Sequence, residues 1–315
     1  MKRTSVLVVA ALTMLGLVGA GGAAQSKVPG PNGRIAFARF DPSLGDTVTF
    51  TMNPDGSHLR RLFPGASGNP RWSPDGSNVT VGARCVNGAE NCAATIVDPD
   101  TGTFRQLKFP DPTLETFCSV WSADARRLAC ESHGISDPSR NGIYTIRTSD
   151  VRGLKRITSN PGGGDSPIDY SPDGKRLVFS RVDPNRPARA NSALFVVNLD
   201  GSGVRRITPW GFSDDDGSWS PDGTRILFGT RGSLYTVHPD GSGLVRIDLA
   251  TSGYLNAFDA GWSPDGAKII FSLFTAASGQ VDLYIANTDG GDLHQVTNDS
   301  PPEEKADWGP HPIVP

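Results

Sequence analysis

The chain has 315 residues, with 37 glycines, 25 prolines, 20 % charged residues and a net charge of −3. That usage of Gly and Pro suits many short strands joined by tight turns and fits poorly with a helical bundle. No basic run or stripe is present, so the phosphate neutralisation on which nucleic-acid binding depends is excluded.

At the N-terminus Lys2 and Arg3 precede an almost wholly apolar run from Val6 to Val18, followed by small residues ending in Gly22-Ala23-Ala24. These are the three parts of a secretory signal peptide over residues 1–24, with cleavage expected after Ala24. The apolar core is short for a bilayer span and no Cys follows it, which argues against a membrane or lipid anchor. The mature chain is therefore expected to be exported, periplasmic or extracellular, without a membrane span and monomeric. Residues 25–31 read as a short linker, 32–310 as a repeat array and 311–315 as a tail.

Self-similarity dominates the chain beyond the linker. Trp72-Ser-Pro-Asp-Gly76 recurs at Trp219 and Trp262, as Tyr170-Ser-Pro-Asp-Gly174 and as Trp121-Ser-Ala-Asp-Ala125; Asp307-Trp308-Gly309-Pro310 supplies a sixth aromatic. Successive aromatics lie 49, 49, 49, 43 and 46 residues apart. Each Ser-Pro-Asp-Gly is turn chemistry, because Pro presets φ, Asp bonds local backbone and Gly takes a positive φ cheaply. Apolar strands come next, as in Arg176-Leu177-Val178-Phe179, and then a second hairpin such as Asn198-Leu-Asp-Gly201. A last strand such as Val204-Arg-Arg-Ile207 alternates basic and apolar residues and reads as an outer strand with one wet face. Four strands in each of six units predict an all-β, six-bladed β-propeller. Arg34–Phe37 lacks a preceding aromatic strand and Trp308 lacks following ones. Pairing these N-terminal strands with the C-terminal strand completes one composite blade and leaves no open edge.

The Trp-Ser-Pro-Asp-Gly turn, the Arg-Ile/Leu-x-Phe strand and the Asp-Gly-Ser/Gly-x-x-Arg-Ile-Thr ending resemble the repeat of TolB-like, WD-repeat-like propellers, from about Asn32 to Pro310. The resemblance implies a binding scaffold of the cell envelope. The N-terminal α/β domain of TolB proper is expected to be missing, as is the C-terminal hydrolase domain of the similar prolyl-oligopeptidase propellers.

Chemistry is sparse. Cys85, Cys92, Cys118 and Cys130 suit two disulfides in an oxidising compartment, with Cys85–Cys92 and Cys118–Cys130 favoured by strand geometry; a zinc site would need C-x-x-C spacing or a His pair. The repeated aromatics are assigned to packing between blades, and Asp75, Asp124, Asp173, Asp222 and Asp265 to turn hydrogen bonds. Non-repeating acids are the candidate ligand-binding set: Asp165, Asp169, Asp214, Asp215, Asp216, Asp259 and Asp307. They would form a ring at one channel mouth able to hold Ca²⁺ through oxygen ligands. The plainer reading is solvated loop carboxylates, with no cofactor or metal. No nucleophile elbow, sialidase turn, phosphate loop or His cluster assigns a catalytic residue. The expectation is a non-enzymatic binding or scaffold module for a protein or envelope-glycan partner. The alternative is a propeller lyase or hydrolase acting on a carbohydrate or lactone through channel-mouth carboxylates.

Overall fold

The computed structural model describes residues 30–84, 92–212, 217–249, 255–276, 278–298 and 301–314. Residues 1–24, where a signal peptide is expected, most of the linker, Cys85 and Asp214–Asp216 lie outside the described residues.

In chain order, β1 (Ile35–Asp41), β2 (Asp46–Met52) and β3 (Arg60–Arg61) come first. Blade 1 follows as β4 (Ser67–Trp72), β5 (Val79–Ala83), β6 (Cys92–Val97) and β7 (Phe104–Lys108). Blade 2 is β8 (Leu114–Trp121), β9 (Arg127–Gly134), β10 (Gly142–Arg147) and β11 (Lys155–Arg156). Blade 3 is β12 (Asp165–Tyr170), β13 (Arg176–Val182), β14 (Ser192–Asn198) and β15 (Arg205–Arg206). Blade 4 is β16 (Gly217–Trp219), β17 (Ile226–Thr230), β18 (Ser233–Val237) and β19 (Val245–Arg246). Blade 5 is β20 (Leu255–Trp262), β21 (Lys268–Thr275), β22 (Gln280–Asn287) and β23 (His294–Gln295). The last strand, β24 (Glu303–Trp308), joins β1 to give blade 6 in the order β24-β1-β2-β3.

The closure is antiparallel, with Ile35 opposite Trp308 and Arg39 opposite Glu303. The tail extends it. Gly309 and Arg34 exchange backbone bonds with the opposing chain, and Val314 N and O both meet the Asn53 side chain at 2.9 Å. The ring is a closed six-bladed propeller.

The aromatic-before-turn pattern explains why the blades stack. Six apolar clusters form the core, one at each junction between neighbours. In every cluster the repeated aromatic meets the apolar residue ending the preceding blade's outer strand: Trp72 and Leu62, Trp121 and Leu107, Tyr170 and Ile157, and so round the ring. Burying such rings against aliphatic neighbours contributes roughly 1.5–3 kcal/mol per side chain, so the core is a circle of interfaces. Cys118 and Cys130, opposite each other on β8 and β9, are joined by a disulfide.

The two faces differ. On one face, each Ser-x-Asp turn closes identically: Ser73, Ser122, Ser171, Ser220 and Ser263 donate to the Asp two residues on at 2.5–2.7 Å. Burial pushes those carboxyls up, but the Ser and backbone bonds outweigh it and hold each Asp below its ordinary value. These acids are structural. The opposite face carries the strand-to-strand connections around residues 133–141 and 182–192 and the blade-to-blade loops. There Ala193 bridges Phe212, and the guanidinium of Arg186 lies 4.4 Å from the Trp210 ring.

The Arg-rich outer strands are not simply wet. Arg60 donates to the Pro99 and Asp100 carbonyls, Arg105 to Thr148, Lys155 to Leu199 and Arg205 to Pro239, in each case reaching the next blade's second hairpin. The alternation expected of a half-solvated strand is thus also a rim clamp.

Candidate functional site

The innermost strands β4, β8, β12, β16, β20 and β24 bring their ends together around the axis. Five of these strands carry a bulge, where the register with the neighbour slips. At three of the bulges the residue is non-glycine in the left-handed region: Asn69 (φ 47), Asp259 (φ 53) and Lys305 (φ 59). Such backbone costs on the order of 1 kcal/mol, most at Lys305, because Asn and Asp tolerate it better. The bulges at Asp259 and Lys305 bring those two residues to a throat enclosing about 40 Å³, room for a few water molecules.

Five charged residues line that throat: Arg71, Asp169, Asp259, Lys305 and Asp307. Their carboxylates hold the ring together. Asp169 Oδ2 accepts the Trp219 amide at 2.9 Å, and Asp307 Oδ2 accepts the Trp72 amide at 2.7 Å. Ser218 takes the same role toward Trp262 at 3.3 Å. Each of these three directly precedes its blade's aromatic, so one position serves the next blade's backbone. Asp259 binds Lys305 Nζ at 2.8 Å and the Lys305 amide at 3.3 Å.

Of the expected acids, therefore, the structure gathers Asp169, Asp259 and Asp307 at the throat and sends Asp165 elsewhere. They are strand residues and not solvated loop carboxylates; Asp259 is 4 % and Asp307 6 % exposed. Asp165 begins β12 at the loop-face end, 1 % exposed, in a bidentate pair with Arg181 at 2.7 Å for both bonds. Asp214, Asp215 and Asp216 lie outside the described residues. Among the described residues no group of three or more His, Cys, Asp or Glu is placed to hold a metal ion.

Two features were not foreseen from the sequence. Glu303 matches Asp165, each five residues before its aromatic. It is wholly buried and pairs with Arg39 at 2.8 Å, and that guanidinium lies over Phe37 and Phe50 as Arg181 lies over Phe179 and Phe195. Blades 3 and 6, opposite in the ring, thus share a desolvated ion pair flanked by aromatic faces. Counting back from each aromatic would have found it. On the loop face of blade 2, Glu131 accepts Ser166 Oγ at 2.6 Å and meets His133 Nε2 at 2.8 Å. No motif spacing announced this group, because Ser166 comes from the next blade.

No family model matches the chain. It is similar to TolB of Acinetobacter baumannii, at 19 % identity over 88 % of this chain and 66 % of that one, with a TM-score of 0.65. The fold is that of a TolB-like β-propeller. Oligogalacturonate lyase of Vibrio parahaemolyticus is similar over 88 % of this chain and 78 % of its own, at 16 % identity and a TM-score of 0.56. Among curated proteins, an uncharacterized protein of Agrobacterium fabrum is 30 % identical over 159 residues, 50 % of this TolB-like chain and 48 % of its own. Dipeptidyl-peptidase 5 of Porphyromonas gingivalis is 41 % identical over 64 residues, 20 % of this chain and 9 % of its own. The match thus spans about half the length of the first of these relatives. No helix among the described residues is long and apolar enough to cross a membrane.

Proposed function

We propose that this TolB-like propeller is an exported, non-enzymatic binding module that presents its loop face to a protein or envelope-glycan partner. The observation that carries the reading is the commitment of the throat acids. Asp169, Asp259 and Asp307 are engaged by the neighbouring blade, which supports a rigid support rather than a proton-transfer site. Export rests on the Lys2-Arg3 and Val6–Val18 pattern and on the TolB resemblance.

The test is biolayer interferometry of the mature chain against purified envelope proteins and peptidoglycan fragments. A loop-face double variant, Phe117→Asp with Ile135→Asp, is expected to weaken the partner at least tenfold, since both side chains are exposed in blade 2. Leu59→Asp on an outer strand's approach should leave it unchanged. No saturable partner, or equal loss in both variants, would overturn the proposal.

One observation favours a second reading, a lyase or hydrolase acting on a carbohydrate. Glu131, with Ser166 and His133 on it, is an accessible carboxylate beside an imidazole, the pair that general acid–base catalysis uses. Turnover of oligogalacturonate or other oligosaccharides that vanishes in Glu131→Gln, with melting unchanged, would put this reading first.

A further inference from the structure

We propose that the junction between blades 2 and 3 binds a free aromatic amino acid on the face of the Ser-x-Asp turns. The site is separate from the throat and from the loop face.

One blade breaks the aromatic series. Five place Trp before the turn; blade 3 places Tyr170. At the following junction Trp219 is wholly buried against Ile207, and the guanidinium of Arg176 covers its ring at 4.9 Å. Arg127 holds the matching place one blade earlier, and it reaches outward to the Thr145 carbonyl and hydroxyl and the Gly153 carbonyl. A phenol is smaller than an indole. A cavity of about 340 Å³ opens over this junction, bordered by the buried Tyr170 and within the size range of small-ligand sites.

Its lining sorts by chemistry. Ala123, Ile157, Leu199 and Tyr170 give its apolar edge. Arg127 and Lys155 supply two positive charges; Asp124 and Asp173 supply two negative ones. The Asp oxygens that accept from Ser122 and Ser171 are fixed by the turns, so they do not rotate on binding. Burial pushes the Tyr170 phenol up, so it stays neutral. Two cations and two anions around an apolar slot match a zwitterion with a flat side chain better than a simple acid or amine. The carboxylate goes to Arg127 and Lys155, the ammonium to Asp124 and Asp173, and the ring lies against Ile157 and Leu199.

Isothermal titration of the mature chain with L-tryptophan tests this, with indole, indole-3-acetate and tryptamine as comparison probes. One saturable site for L-tryptophan is expected, with indole-3-acetate and tryptamine each weaker by about tenfold, since each loses one charged partner. Tyr170→Trp restores the indole of the other blades; it should abolish binding and keep the melting temperature. Tyr170→Phe keeps the cavity and should stay within about threefold of wild type, since only a hydroxyl is lost. Leu199→Trp closes the cavity from the opposite wall and repeats the test should the first variant fold poorly. No heat with L-tryptophan up to about 5 mM, equal binding of all four probes, or wild-type affinity in Tyr170→Trp would overturn the proposal.

Discussion

Two junctions of the ring sit at opposite extremes. Between blades 6 and 1 the blades are tied at every radius. The throat has Asp307 on the Trp72 amide, the core has Trp72 against Leu62, and the rim has Arg60 on the Pro99 carbonyl. The tail adds His311, stacked on Trp72 at 5.2 Å and bonded to the Gly76 carbonyl, while Arg34 pairs with Asp100. Between blades 4 and 5 the throat has the long Ser218 bond, the core has Trp262 against Ile247, and the rim position is Val245. The chain is continuous at both junctions, through β3–β4 and β19–β20, but blade 6 is itself closed by strands from both chain ends, and β24 and the tail add ties to blade 1 that blades 4 and 5 do not have.

Removing the closure should therefore have the largest effect. Trp308 is 3 % exposed and donates its indole N–H to the Gly33 carbonyl at 2.9 Å. Trp308→Ala is expected to cost about 3–5 kcal/mol and to free both chain ends, read as a fall in melting temperature with early proteolysis near Asn32. The matching change at the lighter junction, Trp262→Ala, should cost a similar amount of packing but leave the ends protected. Equal proteolysis in the two variants would erase the distinction.

Next in size is Gly309→Ala. A Cβ there would lie 2.3 Å from the Trp72 ring, closer than any real contact, so the tail or the indole must move. The expected cost is roughly 1–3 kcal/mol of overpacking. Gly290→Ala, at φ 93 and with its Cβ 2.2 Å from the Asp248 carbonyl, asks the same question of the junction between blades 4 and 5. Melting curves of both variants would show which seam tolerates displacement.

Acid should act on the turn face and also on the Arg34–Asp100 tie between blades 6 and 1, whose carboxyl Arg34 holds low. The five turn Asp residues are held below the ordinary value of 3.8. A carboxyl depressed in the folded state adds stability that is complete above its unfolded value and is lost as pH falls through the folded one. Melting temperature is thus expected to be level down to about pH 4.5 and to drop below about pH 4. Ser171→Ala, which removes the 2.5 Å bond to Asp173, should lessen that drop. Asp111, held at about 2 by Arg140 and Thr113, extends the loss further into acid.

Legibility in the sequence divides along the same line, between local chemistry and ties across the ring. The blade count, the turns and the pairing of Ile35 with Trp308 were legible because they rest on a fixed period and on turn residues whose φ preferences are local. The roles of Asp169 and Asp307 were not. Each bonds a backbone amide in the next blade, and a throat acid and a free ligand acid look alike until the ring is closed. The left-handed bulges at Asp259 and Lys305 depend on register against the neighbouring strand, which no residue type encodes. Tyr170 was visible as a substitution in the series, but the cavity over its junction depends on where Arg127 turns and on Leu199 from the next hairpin. Arg60, Arg105, Lys155 and Arg205 carried the right signal under a second reading, since alternating Arg describes a solvated face equally well.

The smallest expected effect tests that second reading. Val245 stands where those four cations stand, two residues before the apolar residue that ends its strand. The carbonyl an arginine would reach there belongs to Thr288, the counterpart of Pro99, Leu199 and Pro239. Val245→Arg should add one charge-assisted bond at an exposed rim, at most about 0.5 kcal/mol, while Arg205→Ala should lose a similar amount. The Val245 side chain is 52 % exposed, so its removal from the surface costs no core packing. Moreover, an electrostatic clamp between a guanidinium and a carbonyl dipole weakens less with salt than an ion pair does. The gain in Val245→Arg should accordingly persist at high ionic strength. A gain that vanishes in salt would mean that the arginine had found a carboxylate instead, and that the rim is an ion-pair belt rather than a set of blade-to-blade clamps.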